Sequence, residues 1–575
     1  MVIYLHEEKL VTKKEIKKII DPLYEKLLAG KKEEVIAAVN QLFNLFETMM
    51  NDMTDYQDEI QRLKDTLDKL MGEQGKPTFK KSKKDQDDEK EDHETDHSSE
   101  KERHARKPKK PRQRKKKRKS KLTIHREEYC QIDLSTLPDD VIFKGYKHHI
   151  IQDIKIVPDN IEFKRAAYYS PSLKRTFIAD LPSGYHGDYG PGVRALTLTL
   201  YHQGDMTQPG ISRFYQTFNI EISPTTISRL LTDNHQPFHQ EKADIVVAGR
   251  QATNYQGIDD TQARVNGQSY HTFVLCNPFY AAYFTLPNKD RLTVLQLLCN
   301  NNLSYQFTEQ TYQLLEQLGL PKKSLQKLYD EKIEENSLLT LEDCQKLFSK
   351  IFPGPRKYRT YKRYVLEASA ITYYRNSEYA IEIMMSDDAP QFQLLAAHNA
   401  LCWIHALRHY KKLKPLLKHY QQYVEDFLDK AWDFYQKLLD YKEKPNTKVA
   451  EQLKKEFDQL FSNQTGYDLL DQRIDNTRSK KEALLLVLTY SFLPLHNNDS
   501  ELAVRKQARY RDIHLQNKNA KGVSAKDTFM TITQTSRKLA VNVYDYIHDR
   551  LTKKYDMPSL ASVIMQNSQI THDSS

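Results

Sequence analysis

Residues 254–287 read NYQGIDDTQARV, NG, QSYHTFVLCN and PFYAAYFTLP. The three longer runs are rich in β-branched and aromatic residues, the composition of strands. Asn266-Gly267 is a two-residue hairpin signal, because such a turn needs positive φ at both positions. Three consecutive antiparallel strands are therefore predicted. Asp259-Asp260 sits inside the first, where Asp is disfavoured. Downstream, a helical stretch from Asp290 carries LTVLQLLCNN, and AIEIMMS (380–386) reads as a fourth strand ending at Asp387-Asp388. LLAAHNALCWIHALRHYKKL (394–413) reads as a helix, and LPLHNNDSELAVRKQARYRD (493–512) opens another with Glu501 in its first turn.

Three strands, a helix, a fourth strand and later helices is the chain order of a ribonuclease-H-like core. In that layout one carboxylate lies on the first strand, one just after the fourth and one on a late helix. Here these are Asp259 or Asp260, Asp387 or Asp388, and Glu501. Three such carboxylates can hold two divalent metals about 3.5–4 Å apart for phosphodiester chemistry, and hard oxygen ligands suit Mg²⁺, with Mn²⁺ as substitute. Each residue also has a plainer reading. Asn498 and Glu501 have the spacing of a capping box, and Asp387-Asp388-Ala-Pro that of an ordinary turn. Neighbouring strand residues face opposite ways, so only one of Asp259 and Asp260 can reach the metals.

The rest of the 575-residue chain divides by composition. Within the helical region 1–72, Val39, Leu42, Phe46, Met49, Met53, Tyr56, Ile60, Leu63, Leu67 and Leu70 alternate spacings of 3 and 4, the seam of a coiled coil over 31–72. A homodimer is the expected use, with a helix docked on its own globular body as the alternative. Residues 73–121 are an acidic and then basic linker, predicted to be disordered. Between Lys101 and Lys119 there are 13 Lys or Arg and one Glu, more than the whole net charge of +10. This block, including Lys115, Lys116, Lys117 and Arg118, suits phosphate backbones without sequence readout.

Residues 122–235 are predicted to hold short strands over 153–182 and a helix-turn-helix over 206–234. There Ser223 and Pro224 open a second helix that exposes Thr225, Thr226, Ser228 and Arg229 for a DNA major groove. The catalytic core is placed at 236–412 and 486–555. Helical insertions are placed at about 303–361 and 413–485, and a flexible tail at 556–575. The fold class is thus multidomain α+β. The five cysteines form no Cys-x-x-Cys pair, which points to a reducing cytosol. The longest apolar run, 483–495, is shorter than the ~18 residues that span a bilayer. Neither a membrane location nor a signal peptide is expected.

Four motifs carry a resemblance. Asp259-Asp-Thr, Ser386-Asp387, Cys402-Trp-Ile-His405-Ala-Leu-Arg408 and Leu493-Pro-Leu-His-Asn-Asn498-Asp-Ser-Glu501-Leu-Ala-Val-Arg505 resemble bacterial DDE transposases of the insertion sequence 66 family. The likeness covers roughly residues 150–550. It implies a transposase that cuts and joins DNA at the terminal inverted repeats of a mobile element and into target DNA. It also implies a bacterial cytoplasmic, nucleoid-associated location and possible accessory transposition proteins. It favours Asp259, Asp387 and Glu501 as catalytic metal ligands. Arg505, one turn after Glu501, is expected either to hold a DNA phosphate or to orient Glu501. Cys402, His405, Arg408, Asn497 and Asn498 are placed near the site in structural roles. The cysteine-rich finger common in the family is represented by Cys130 alone, so end binding falls to the basic block and the helix-turn-helix. The competing readings are a domesticated DNA-binding protein of the same fold and a nuclease without strand transfer.

Overall fold

The computed structural model describes residues 39, 43, 44, 46, 47, 53, 56, 60, 123–132, 142–335, 337–354, 356–462 and 464–573. The linker 73–121, with its basic block, lies outside them. The protein is a mixed α+β chain. Its central five-stranded sheet has the order β5-β4-β3-β8-β9, from β3 (Tyr255–Val265), β4 (Gln268–Asn277), β5 (Tyr280–Leu286), β8 (Ile383–Ser386) and β9 (His398–Leu401). The first three strands form the antiparallel meander read from the sequence, with Gly257 opposite Cys276 and Asn277 opposite Tyr280. Asn266 and Gly267 turn at φ 48° and 78°, the left-handed backbone that this hairpin requires. Strand β8 runs parallel to β3, pairing Gly257 with Met385, and β9 runs parallel to β8.

Helices Asn498–His514 and Ala520–Lys538 cover one face of the sheet. Val274, Cys276, Ala281 and Tyr283 pack there against Ala503 and Met530, all buried. The second helix also shields the sheet's edge. Backbone N–H groups of Ala281, Tyr283 and Thr285 on β5 donate to Thr535 Oγ1, Thr531 Oγ1 and Asp527 Oδ2 at 3.3, 3.1 and 2.7 Å. The spacing of 4 along the helix matches every second residue of the strand, so each outward amide finds a buried acceptor.

Two stretches interrupt the core. Between β5 and β8 come Glu309–Gln317, Lys322–Asp330 and Leu341–Ile351, with a two-stranded ribbon of β6 (Tyr305–Gln306) and β7 (Leu338–Leu339). After β9 come Lys418–Glu443, Thr447–Leu460 and Asp468–Arg478, an aromatic-rich cluster built around Trp403, Phe427, Phe457 and Phe461. The described residues between 39 and 60 are helical, and Phe43 joins this cluster. Asn44 Nδ2 donates to the Gly466 carbonyl at 3.1 Å, and its Oδ1 accepts the Asp468 N–H at 3.3 Å. Glu47 Oε1 accepts the N–H groups of Leu416 and Leu417 at 2.5 and 3.4 Å. Residues three apart on one helix thus cap two others. The seam residues Phe46, Met53, Tyr56 and Ile60 face away, 46, 43, 71 and 52% exposed.

Described residues within 90–179 and 212–222 form a second compact unit. Its described part holds one hairpin, β1 (Ala167–Ser170) with β2 (Arg175–Ile178).

The structure corrects four expectations. Residues 153–166 form no strand, because their alternating apolar side chains have no partner strand among the described residues. The stretch 394–413 is not one helix: His398–Leu401 pairs with β8 as a fifth strand, and the helix begins at Trp403. The expected flexible tail contains the helix Leu560–Asp573, ordered by burial of Leu560 and Ile564. Asn498 and Glu501 form no capping box. The Asn498 N–H turns to His496 Nδ1 at 3.4 Å, and the Glu501 carboxylate turns to another helix.

Candidate active site

Backbone register brings the carboxylates together. Gly257 and Met385 are paired on neighbouring parallel strands, so Asp259, midway along β3, and Asp387, just past the end of β8, lie level with each other. Ends of parallel strands such as β8 are where α/β sheets place their chemistry, since helices cover both faces but not these ends. Glu501 arrives from the first turn of Asn498–His514, the helix packed on β3 and β4.

The electrostatics reflect this convergence. Burial, Asp387 and, more weakly, Asp260 and Glu501 push the Asp259 carboxyl up to about 8. Burial also raises Asp387, whose Oδ1 accepts the Ala389 N–H at 3.1 Å. A cluster of mutually repelling, partly buried carboxylates is a site that lacks positive charge. Such a hard oxygen donor set fits a divalent cation of the Mg²⁺ type.

The neighbouring acids are engaged otherwise. Asp260 Oδ1 accepts Gln391 Nε2 at 2.7 Å, and its Oδ2 lies 3.7 Å from His271 Nδ1. Asp388 pairs with Lys480. Gln391, His271 and Lys480 were invisible to sequence reasoning, because each comes from a separate segment.

The helix Trp403–Lys411 grips Glu501. Arg408 Nη2 donates to Glu501 Oε2 at 3.2 Å, and His405 Nδ1 lies 3.5 Å from Oε1. Cys402 is the residue before this helix, not part of its face. With His405 and Glu501 it offers ligand atoms all within 4.8 Å of one another. Thiolate, imidazole and carboxylate are zinc donors. Burial, however, pushes the Cys402 thiol up to about 11, and its Sγ already accepts the Asn497 N–H at 3.3 Å.

Asn497 and Ser500 are buried at the start of the Glu501 helix. Gly257 makes that approach possible: a Cβ there would lie 2.6 Å from Ser500 Oγ and 3.0 Å from Asn497 Oδ1. A lone Gly inside a strand pattern is the signal that could have marked it. Arg505 follows Glu501 by one turn and is half-buried.

The residues expected to read DNA lie on the helix Pro224–Thr232, away from these carboxylates in sequence. Ser223 caps it through the Thr226 N–H at 3.1 Å. Thr225 and Arg229 are exposed, while Thr226 and Ser228 are half-buried. Lys115, Lys116, Lys117 and Arg118 lie outside the described residues.

No helix among the described residues is long and apolar enough to cross a membrane. The profile of the Transposase IS66 family matches residues 372–525, a span that includes Asp387, the Cys402–Arg408 helix start and Glu501. The chain is similar to the uncharacterized protein y4jO of Sinorhizobium fredii, 30% identical over 307 residues, which are 53% of this chain and 94% of that protein. With Asp387 and the Cys402-to-Arg505 motifs inside the matched span, the chain belongs to the IS66 transposase family, and so to the nucleic-acid-processing enzymes.

Proposed function

We propose that the protein is a DDE transposase with a ribonuclease-H-like core that cleaves DNA at element ends and joins it to target DNA. The observation that carries this reading is the convergence of Asp259 from the middle of β3, Asp387 from just past the end of β8 and Glu501 from one helix. The sheet order β5-β4-β3-β8-β9, with β4 alone antiparallel to both its neighbours, supports the fold assignment.

Asp259, Asp387 and Glu501 are the residues that would hold Mg²⁺ or Mn²⁺. A bound divalent cation supplies Lewis acidity, lowering the pKa of an attacking water or 3′-hydroxyl and stabilising the leaving oxygen. Arg408 and His405 orient the Glu501 carboxylate. Arg505, on the same helix, suits a DNA phosphate, as a guanidinium fork does. Thr225, Thr226, Ser228 and Arg229 suit base edges at the element end, and the basic block 101–119 suits phosphates on any duplex. The seam of the N-terminal helix would pair two copies, one for each end.

The test is cleavage of element-end DNA with Mg²⁺ or Mn²⁺. Asp259→Asn, Asp387→Asn and Glu501→Gln each remove a charge with little change of volume. Each is expected to lower cleavage by orders of magnitude, with circular dichroism and DNA binding retained. Full cleavage by any one variant removes that residue from the site, and its neighbour, Asp260 or Asp388, is then substituted. Cleavage without joining in the native protein would favour a hydrolytic nuclease.

A further inference from the structure

All three carboxylate-bearing segments are tied to one buried residue, Asn497, by its side chain to β3 and by its backbone to the other two. Its Nδ2 donates to the Ile258 carbonyl at 3.0 Å, the residue before Asp259. Its backbone N–H donates to Cys402 Sγ at 3.3 Å, and the Cys402 N–H in turn donates to the Ser386 carbonyl at 3.2 Å, the residue before Asp387. Its own carbonyl accepts the Glu501 N–H at 3.0 Å, the first bond of the Glu501 helix. Ser500 Oγ donates to Asn497 Oδ1 at 2.6 Å, which fixes the amide's orientation. Asn497 and Cys402 are 3% and 1% exposed, so water does not compete for these bonds.

This is more than helix capping. The Asn497 side chain does not bond an amide of its own helix, as an N-cap would; it reaches across to strand β3. Gly257 has no side chain to block that reach. One residue thus sets the separation of β3 from the Glu501 helix and, through Cys402, of both from the end of β8.

We infer that Asn497 is the positioning residue of the metal site, locking Asp259, Asp387 and Glu501 into the spacing a divalent cation needs, with Cys402 as its sulfur strut. The inference rests on the metal-binding reading of these three carboxylates. Residues that orient metal ligands typically change affinity by about 10–100-fold when replaced.

The experiment measures Mn²⁺ binding to the full chain by calorimetry, with thermal melting in chelator alongside. Native protein is expected to bind Mn²⁺, and Asp259→Asn to lose that binding. Asn497→Ala is expected to weaken it by about 10-fold or more. Thr531→Val, which destabilises the far edge of the sheet, serves as the stability control and should leave Mn²⁺ affinity unchanged. Asn497→Asp is nearly isosteric but turns an acceptor toward the Ile258 carbonyl. It should also bind Mn²⁺ more weakly, although its added negative charge alone would tighten binding. Mn²⁺ affinity in both Asn497 variants within twofold of native, or tighter in Asn497→Asp, overturns the inference while leaving the metal reading intact. An equal loss of affinity in Thr531→Val overturns it too, since any destabilisation would then suffice. Absence of an Asp259-dependent Mn²⁺ site in native protein overturns the metal reading, and the inference with it.

Discussion

Arg408 is the residue whose chemistry is most exposed to test, because it holds Glu501 from the outside. Its side chain is 39% exposed, so its ion pair contributes little to folding. Its guanidinium nevertheless fixes one oxygen of a carboxylate whose other oxygen faces His405. Arg408→Ala is therefore expected to lower cleavage by about 10–100-fold, while the melting temperature moves little. Arg408→Lys keeps the charge but loses the planar fork, and should recover only part of the activity. Steady-state cleavage with a melting curve for each variant checks this. Native rates in Arg408→Ala would mean that Glu501 is oriented by its helix alone.

Among the elements, the helix Ala520–Lys538 does the work that another strand would do. Thr531 Oγ1 accepts the Tyr283 N–H and donates to the Asp527 carbonyl. Thr531→Val keeps the shape and removes both bonds, stranding a buried amide at a cost of about 1–3 kcal/mol, measurable by denaturant unfolding. The same helix contributes Phe529 to a histidine cluster, stacked on His202 and edge-on to His235. Burial holds His202 well below its usual range, with the charges of His235, His514, Lys506 and Lys526 adding to the effect. Burial brings His235 and His514 down to about 4. At these three histidines the unfolded chain binds more protons than the folded one from pH 6.5 down to about 4, so their contribution to stability falls as pH drops through that window. The raised carboxyls of Asp259 and Glu241 act in the opposite sense. Melting at pH 7 and pH 5 is compared between native protein and His202→Phe, which retains the stack: the variant should gain stability relative to native on going to pH 5. An unaltered pH difference in that variant would move the effect to other groups.

At the scale of the whole molecule, the described helical residues between 39 and 60 divide into two sets with separate jobs. Phe43, Asn44 and Glu47 anchor the segment to the helices after β9, whereas Phe46, Met53, Tyr56 and Ile60 form an apolar stripe turned to solvent. The stripe has heptad spacing, which a second copy of the same helix would bury. Light scattering of the full chain is expected to give the mass of a dimer. Met53→Lys with Ile60→Lys should halve that mass without lowering the melting temperature of the monomer. Glu47→Ala should do the reverse, because it strands two amides at a helix start, a cost of about 0.5–2 kcal/mol, and leaves the stripe intact. A monomeric native chain at micromolar concentration would end the pairing assignment.

Local chemistry was enough to read β3, β4 and β5, because alternating side chains, Asn266-Gly267 and short loops act between neighbours in sequence. The start of the Pro224–Thr232 helix was legible for the same reason, from Ser223 and Pro224. The three acids stood out because carboxylates are costly on or beside buried strands unless something uses them. Sequence could not tell that His398–Leu401 is a strand: its four residues carry weak β propensity, and only pairing with β8 makes them extended. It could not order 560–573 either, since the burial that does so comes from distant parts of the chain. The roles of Asn497, Gly257 and Arg408 depend on contacts across 239, 243 and 93 residues. Adjacency of that kind is decided by the packing of helix on sheet, which no local propensity encodes.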